Sequence, residues 1–335
     1  MYAITGITGQ VGGAMARALL FADKNVRAVV RNIEKGRSWA AKGCEIIVAD
    51  MEDAAALATA FQGTDGVFIL PPSEFDPLPG YPEALRVIAA VKEAIERARP
   101  KKVVCLSTIG AQATQPNLLT QRKLLEEALR ALQIPVMFLR PAWFMENFAW
   151  DVAGARDSGV IASFLQPLDK PVPMIATADI GRLAAQLIQG DWKGVRIVEL
   201  EAARRYTPNE VAATFAKILG RPVRAEVVPR ETWGSLFRSL GTKDPIPRIQ
   251  MLDGFNEGWI EFERGETGSV KGSTDIETVL RGLVETAPAV AVPLGSKASF
   301  WPWAGHFRST SDNGHHQSQS ACLKRAMRRL MHRSK

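Results

Sequence analysis

The chain has 335 residues, 46% hydrophobic and 23% charged, which is long enough for one large core or two modest ones and excludes a disordered chain. No run approaches the roughly 18 apolar residues of a membrane helix, no basic leader precedes the first strand, and Cys44, Cys105 and Cys322 are too scattered for a disulfide framework or a four-cysteine zinc site, so a cytoplasmic protein is expected. The formal charge of +7 comes from segment 291–335, with eight basic residues and one acid; all four histidines lie there too, so the neutral body has no histidine for Ser-His-Asp hydrolysis or metal ligation, and nucleic acid is not the expected partner.

The chain opens on "MYAITGITGQVGGAMARALL", a short strand, three glycines and an apolar helical pattern. Further strands read at "VRAVV", "EIIVA", "GVFIL", "KVVCLS" and "VMFLR", with helices near 11–22, 53–61, 82–98 and 118–132. Alternation of this kind predicts an α/β, Rossmann-type doubly wound parallel sheet over residues 1–150. After Pro141 the regularity breaks. "TADIGRLAAQLI" reads as a helix capped by Thr177 or Asp179, and "VRIVEL" as a strand returning to the sheet. "TPNEVAATFAKILG" is a helix with Thr207 as cap, Pro208 first and Gly220 as its stop, followed by a short strand "VRAEVV". Residues 229–290 read as mostly helical. Segment 151–290 is expected to form a smaller α+β substrate-covering domain over the carboxyl ends of the strands, and 291–335 a disordered or non-native basic tail.

Gly6, Gly9 and Gly12 form G-x-x-G-x-x-G between the first strand and the first helix. One glycine makes the tight turn, one lets backbone approach a pyrophosphate, and one lets the helix pack on the strand, while the helix start offers free N–H groups. Thr8, Gln10 and Val11 complete this candidate cofactor loop, and Leu70 and Pro71 at the end of the fourth strand are expected beside it. Where an NAD site carries an acid after the second strand, this chain has Arg31, followed by Lys35 and Arg37. A guanidinium binds a 2′-phosphate bidentately, so NADP(H) is the expected cofactor, with NADPH preferred over NADH. Asp50 is a candidate for the adenine amino group, and Asp53 for capping the next helix.

"TGITGQVG", "VVRN", "VAD-x-x-D", "LST-x-G", "RPAWFMEN", "TADIGRLAA" and "RRYTPNEVA" together make residues 1–290 resemble the NmrA-like atypical short-chain dehydrogenase/reductases. The resemblance implies an NADP(H)-binding Rossmann domain without flavin or metal. Members include NADPH-dependent quinone reductases, flavin-free azoreductases, and regulators that bind the nucleotide without turning it over. The wider superfamily uses Tyr-x-x-x-Lys on one helix face. Lys123 matches the lysine, but Leu119 stands where the tyrosine belongs, and Tyr2, Tyr81 and Tyr206 are the only tyrosines. Family members often carry Gly-Pro where Ala202 and Ala203 follow Glu201.

What survives is hydride delivery to an acceptor that takes protons from water, such as a quinone or azo compound. Lys123 is expected to hold the ribose hydroxyls, or else to pair with Glu127 on the surface. Ser107 and Thr108 are candidates for the nicotinamide ribose or acceptor oxygen, or for capping. Tyr81, in the loop "PPSEFDPLPGYP", is a candidate substitute acid, or ordinary loop packing. Trp143, Phe144 and Met145 are expected to wall a small aromatic acceptor, with Phe144 equally readable as core. Asn147 fixes the turn or touches substrate. Trp150, Phe164, Phe237 and Trp259 are candidates for a far wall. The expected activity is reduction of an electron-poor aromatic acceptor, with a non-catalytic NADP(H) sensor as the alternative; a homodimer is left open.

Overall fold

The computed structural model describes residues 1–287; the expected tail and all four histidines lie outside the described residues. In chain order the first half runs β1 (Tyr2–Thr5), α1 (Gln10–Phe21), β2 (Val26–Val30), α2 (Ile33–Ala40), β3 (Glu45–Val48), α3 (Ala54–Phe61), β4 (Gly66–Ile69), α4 (Pro82–Ala98), β5 (Val103–Leu106), α5 (Thr120–Leu129) and β6 (Val136–Pro141). The second half adds β7 (Trp143–Phe144), a 3₁₀ segment Met145–Trp150, α6 (Asp151–Ser158), β8 (Val160–Ser163), β9 (Met174–Ile175), α7 (Thr177–Gln189), β10 (Val195–Ala202), α8 (Pro208–Leu219), β11 (Arg224–Val227), α9 (Trp233–Ser239), α10 (Ile246–Glu257), β12 (Val270–Gly272) and α11 (Ile276–Thr286).

Eight strands form one parallel sheet in the order β12-β10-β6-β5-β4-β1-β2-β3. From β1 the chain adds strands outward to β3, then restarts on the other side at β4. This reversal opens a crevice beyond the carboxyl ends of β1 and β4, where doubly wound sheets bind ligands. The strands alternate between two cores. Ile4, Phe68, Val104, Met137 and Leu139 pack toward the α1 and α7 side. Ala3, Val67, Ile69, Val103, Cys105 and Phe138 pack toward α3, α4 and α5. A period of two with both faces covered gives the near-continuous apolar strands seen in the sequence.

Most expected elements stand where they were read, and Asp53 caps α3 by accepting from the N–H groups of Ala55 and Ala56. Thr207 and Glu210 form a full capping box on α8, which ends at Gly220 in the left-handed region. Three expectations need correction. The eight-residue α2, capped by Asn32, was not anticipated. Segment 229–290 contributes β12 to the main sheet besides its helices. Neither Thr177 nor Asp179 caps α7: both lie inside the helix, and the Thr177 N–H and hydroxyl turn to the Glu146 carboxylate (2.9 and 2.6 Å). Asp179 instead accepts from Thr274 and pairs with Arg182, tying α7 to the turn before α11.

Strands β10 and β12 therefore continue the main sheet, and Gly181 of α7 lets that helix lie against Ala14 and Met15 of α1. Outside the sheet stand the pairs β8–β11 and β7–β9, with α6 and α8–α11. Among the described residues no helix is long and apolar enough to cross a membrane.

Asp151, the first residue of α6, has its carboxyl pushed up to about 7 by burial. Its pKa in the unfolded chain is about 3.9, so the folded form binds more protons between these values and stability falls as pH rises through that window. Asp151→Asn keeps the acceptor oxygen that Ala162 uses and removes the penalty. The variant is expected to melt higher than the parent at about pH 8 and level with it near pH 4; an equal gain at both would reject this assignment.

Candidate functional site

The glycine loop has the geometry its spacing requires. Gly6 lies at φ +66°, a region favourable to glycine, and its carbonyl accepts the Gly9 N–H at 3.0 Å. A β-carbon on Gly12 would sit 2.4 Å from the Gly6 carbonyl oxygen, so only glycine lets α1 start this close to β1. Gly9 is the N-cap of α1, with no side-chain cap and no acid in the first turn. A long helix start left without a carboxylate, at the mouth of the crevice, fits the diphosphate of a dinucleotide. Val11 is buried and can face a ligand only through its backbone, while Thr8 is half-buried and Gln10 exposed. Thr5 staples the floor, accepting from Leu70 N (2.8 Å) and donating to Phe68 O (3.2 Å). The Leu70 side chain lies against Gly6.

On the adenine side, Arg31 follows β2 directly and is exposed at the rim. Partial desolvation lowers its pKa, and the neighbouring Asp50 carboxylate opposes that shift, so the two stand together beyond β2 and β3. Asp50 also accepts the Glu52 N–H at 2.9 Å. Arg37 is engaged with Glu34 at 2.8 Å.

At the other end of the crevice, Ser107 and Thr108 follow β5, and Lys123 projects from the first turn of α5. The Lys123 ammonium donates to Ala113 O at 3.2 Å. The Ser107 hydroxyl donates to Glu126 Oε1 at 2.6 Å. Glu126 in turn receives Arg140 Nε (2.8 Å) and Nη2 (2.7 Å), a bidentate pair with both side chains nearly fully buried. The sequence reading missed this pair. Its signal was an arginine inside the apolar strand "VMFLR" and a glutamate on the buried stripe of α5 with Leu125 and Leu129.

The proline-rich loop after Pro71 is tied down on every side. Arg122 donates to Pro71 O, Pro72 O and Ser73 Oγ, and burial brings its pKa down to about 10. Gln121 brackets Glu74, and Asp76 accepts the N–H groups of Lys243 and Asp244. Tyr81 ends the loop at φ +56° with its hydroxyl donated to Asn117 O at 2.9 Å. That bond takes up the proton the substitute-acid reading would use and ties the loop to the segment before α5.

After Pro141, Trp143 and Phe144 pair with Met174 and Ile175. Trp143 stands edge-on to Phe255, ring centroids 5.1 Å apart. Both aromatic residues are half-buried and present part of their surface, as a wall requires. Met145 does not: it is fully enclosed in the core, because the 3₁₀ turn directs it inward. Asn147 Oδ1 is enclosed with no hydrogen-bond partner among the described residues. Of the far-wall candidates, Phe237 is buried beneath Phe164 (5.3 Å between centroids), while Trp150, Phe164 and Trp259 are half-buried. Burial pushes the Glu146 carboxyl up, and nearby Asp179 adds to the shift.

Among curated proteins the chain is similar to Quinone oxidoreductase 2 of Escherichia coli (strain K12), 27% identical over 248 residues covering 73% of this chain and 84% of that protein. It is also similar to NAD(P)H azoreductase of Xenophilus azovorans, 26% identical over 250 residues covering 73% and 83%. Among solved structures, triphenylmethane reductase of Citrobacter sp., complexed with NADP(H), superposes with a TM-score of 0.70 over 84% of this chain and 99% of that one; at 22% identity this likeness shows the fold. The family model described as "NmrA-like family" matches residues 2–258. With most of its length matched by that model, and with the glycine loop and parallel sheet just described, the chain belongs to the NmrA-like family.

Proposed function

We propose that this protein is an oxidoreductase that reduces a small, electron-poor aromatic acceptor, a quinone or azo compound, with NADPH and without flavin or metal. The observation that carries this reading is the crevice itself: a loop closed to any β-carbon at Gly12, with Arg31 at one end and Lys123 and Ser107 at the other. The names of the relatives, a quinone oxidoreductase and an azoreductase, support the acceptor class.

In this reading NADPH supplies the hydride. The residues of the chain bind and orient. The backbone of Gly6–Gly12 and the start of α1 cradle the diphosphate, and Leu70 and Pro71 line the crevice beside it. Arg31 takes the 2′-phosphate and Asp50 the adenine amino group. Lys123 leaves Ala113 O for the ribose hydroxyls and so fixes the nicotinamide half of the coenzyme. Trp143 and Phe144 offer aromatic area that orients a planar acceptor. The hydroxyl protons of Tyr81 and Ser107 are already given to Asn117 O and Glu126. An acceptor whose product takes protons readily from water suits such a site better than a simple ketone.

The test follows NADPH absorbance with a panel of benzoquinones, naphthoquinones and azo dyes, using protein free of flavin. Turnover with at least one acceptor is expected, and Lys123→Ala should lower kcat/KM by about 10- to 100-fold, the worth of one charged hydrogen bond. No turnover with any acceptor, together with unequal affinities for NADP+ and NADPH, would overturn the reductase reading.

A further inference from the structure

We infer that the buried Arg140–Glu126 pair is a positioning device that fixes Ser107 as a hydrogen-bond acceptor for a donor on the nicotinamide half of the coenzyme. The inference rests on the cofactor reading above. A serine hydroxyl has one hydrogen and two lone pairs. Here the hydrogen has one destination. Glu126 Oε1 lies 2.6 Å from Ser107 Oγ, and the same carboxylate receives two bonds from Arg140 and one from Arg130 (3.0 Å). Both oxygens of this carboxylate accept from guanidinium N–H groups, so the hydrogen of Ser107 lies on the line to Glu126. Only its lone pairs remain for a further partner. Ser107 can therefore accept from a ribose hydroxyl or carboxamide N–H and cannot protonate an acceptor.

Arg140 acts on the same locus a second time. Its Nη1 donates to Gln112 Oε1 (3.2 Å) and Glu263 Oε2 (2.8 Å), with Glu199 Oε1 at 3.6 Å. Gln112 also donates to Glu261 O at 2.7 Å. The next residue is Ala113, whose carbonyl receives Lys123. One buried guanidinium thus braces the carboxylate that orients Ser107 and the segment on which Lys123 rests. The arrangement costs desolvation of several charges and lies beside the crevice, where orientation is worth that cost.

The experiment measures binding of two ligands by the full chain: NADPH, and adenosine 2′,5′-bisphosphate, which lacks the nicotinamide half. Ser107→Ala and Glu126→Gln are each expected to weaken NADPH roughly tenfold, about the worth of one hydrogen bond, and to leave the bisphosphate within twofold. The double variant should be no weaker than Glu126→Gln alone, because Glu126 acts through Ser107. Equal weakening of both ligands, additive losses in the double variant, or unchanged NADPH binding in Ser107→Ala would overturn the inference. Should Glu126→Gln fail to fold, Ser107→Thr and Ser107→Ala decide. Both spare the ion pair, and the threonine must restore NADPH binding to within threefold of the parent. Failure of the parent to bind NADPH would instead strike the cofactor reading.

Discussion

Gly12→Ala is expected to abolish measurable NADPH binding, a loss of at least 100-fold, and to lower the melting temperature by several degrees. The added β-carbon would meet the Gly6 carbonyl oxygen at 2.4 Å, the Gly6 carbonyl carbon at 2.7 Å and Ile7 Cα at 2.9 Å. All three are backbone atoms and none can swing aside. Relief requires α1 to slide away from the end of β1, which moves the N–H groups of its first turn off the diphosphate position. Overpacking of this kind costs about 1–3 kcal/mol in stability. Binding suffers more, because charge-assisted bonds at a helix start fall away with small displacements. Gly282→Ala in α11 is the control. Nothing lies within 4 Å of its added β-carbon, and alanine in a helix gains about 0.5–1 kcal/mol over glycine. A melt and a fluorescence titration of both variants check the pair; retained NADPH affinity in Gly12→Ala would show that the loop is not the cofactor cradle.

Arg140→Met is expected to cost about 3–5 kcal/mol, the scale for breaking a buried pair from one side. The methionine replaces packing volume but leaves Glu126 and Glu199, both 3% exposed, without their guanidinium. Glu199 keeps the N–H groups of Glu263 and Arg264. Glu126 keeps Ser107 and the half-exposed Arg130. Removing both partners in Arg140→Met with Glu126→Leu should recover part of the loss, since an apolar pair of similar volume has no charge to desolvate. Denaturant midpoints of the single and double variants decide. A single variant as stable as the parent would show that the pair carries no structural weight.

The parallel sheet and the glycine loop were legible because their signals are local. Strands buried on both faces read as apolar runs, and the loop's glycines must stand at fixed offsets between β1 and α1. The position of Arg31, one residue past the end of β2, was legible for the same reason. Elements too short or too polar to show a period escaped: α2 reads "IEKGRSWA", and β12 has three residues that become a strand only beside Leu200–Ala202. Partners distant in sequence escaped as well. Glu146 holds the start of α7 from 31 residues away, and Arg140 meets Glu263 across 123. Met145 was assigned to the wall because it follows two aromatic residues; a two-residue pairing with β9 and the 3₁₀ turn after it send the side chain inward. The departure from the superfamily pattern was visible in the sequence as the missing tyrosine, but only the structure shows the Tyr81 and Ser107 hydroxyls already donated.

Direct hydride transfer from NADPH to an aromatic acceptor is tested most plainly by stoichiometry. Protein shown to contain no flavin is mixed with NADPH and a benzoquinone, and consumption of both is followed alongside a parallel run with NADH. The expected result is one NADPH consumed per quinone reduced, with kcat/KM for NADPH at least tenfold above that for NADH, as a guanidinium at Arg31 requires. Consumption that begins only when flavin is added, or NADH used as well as NADPH, would contradict it.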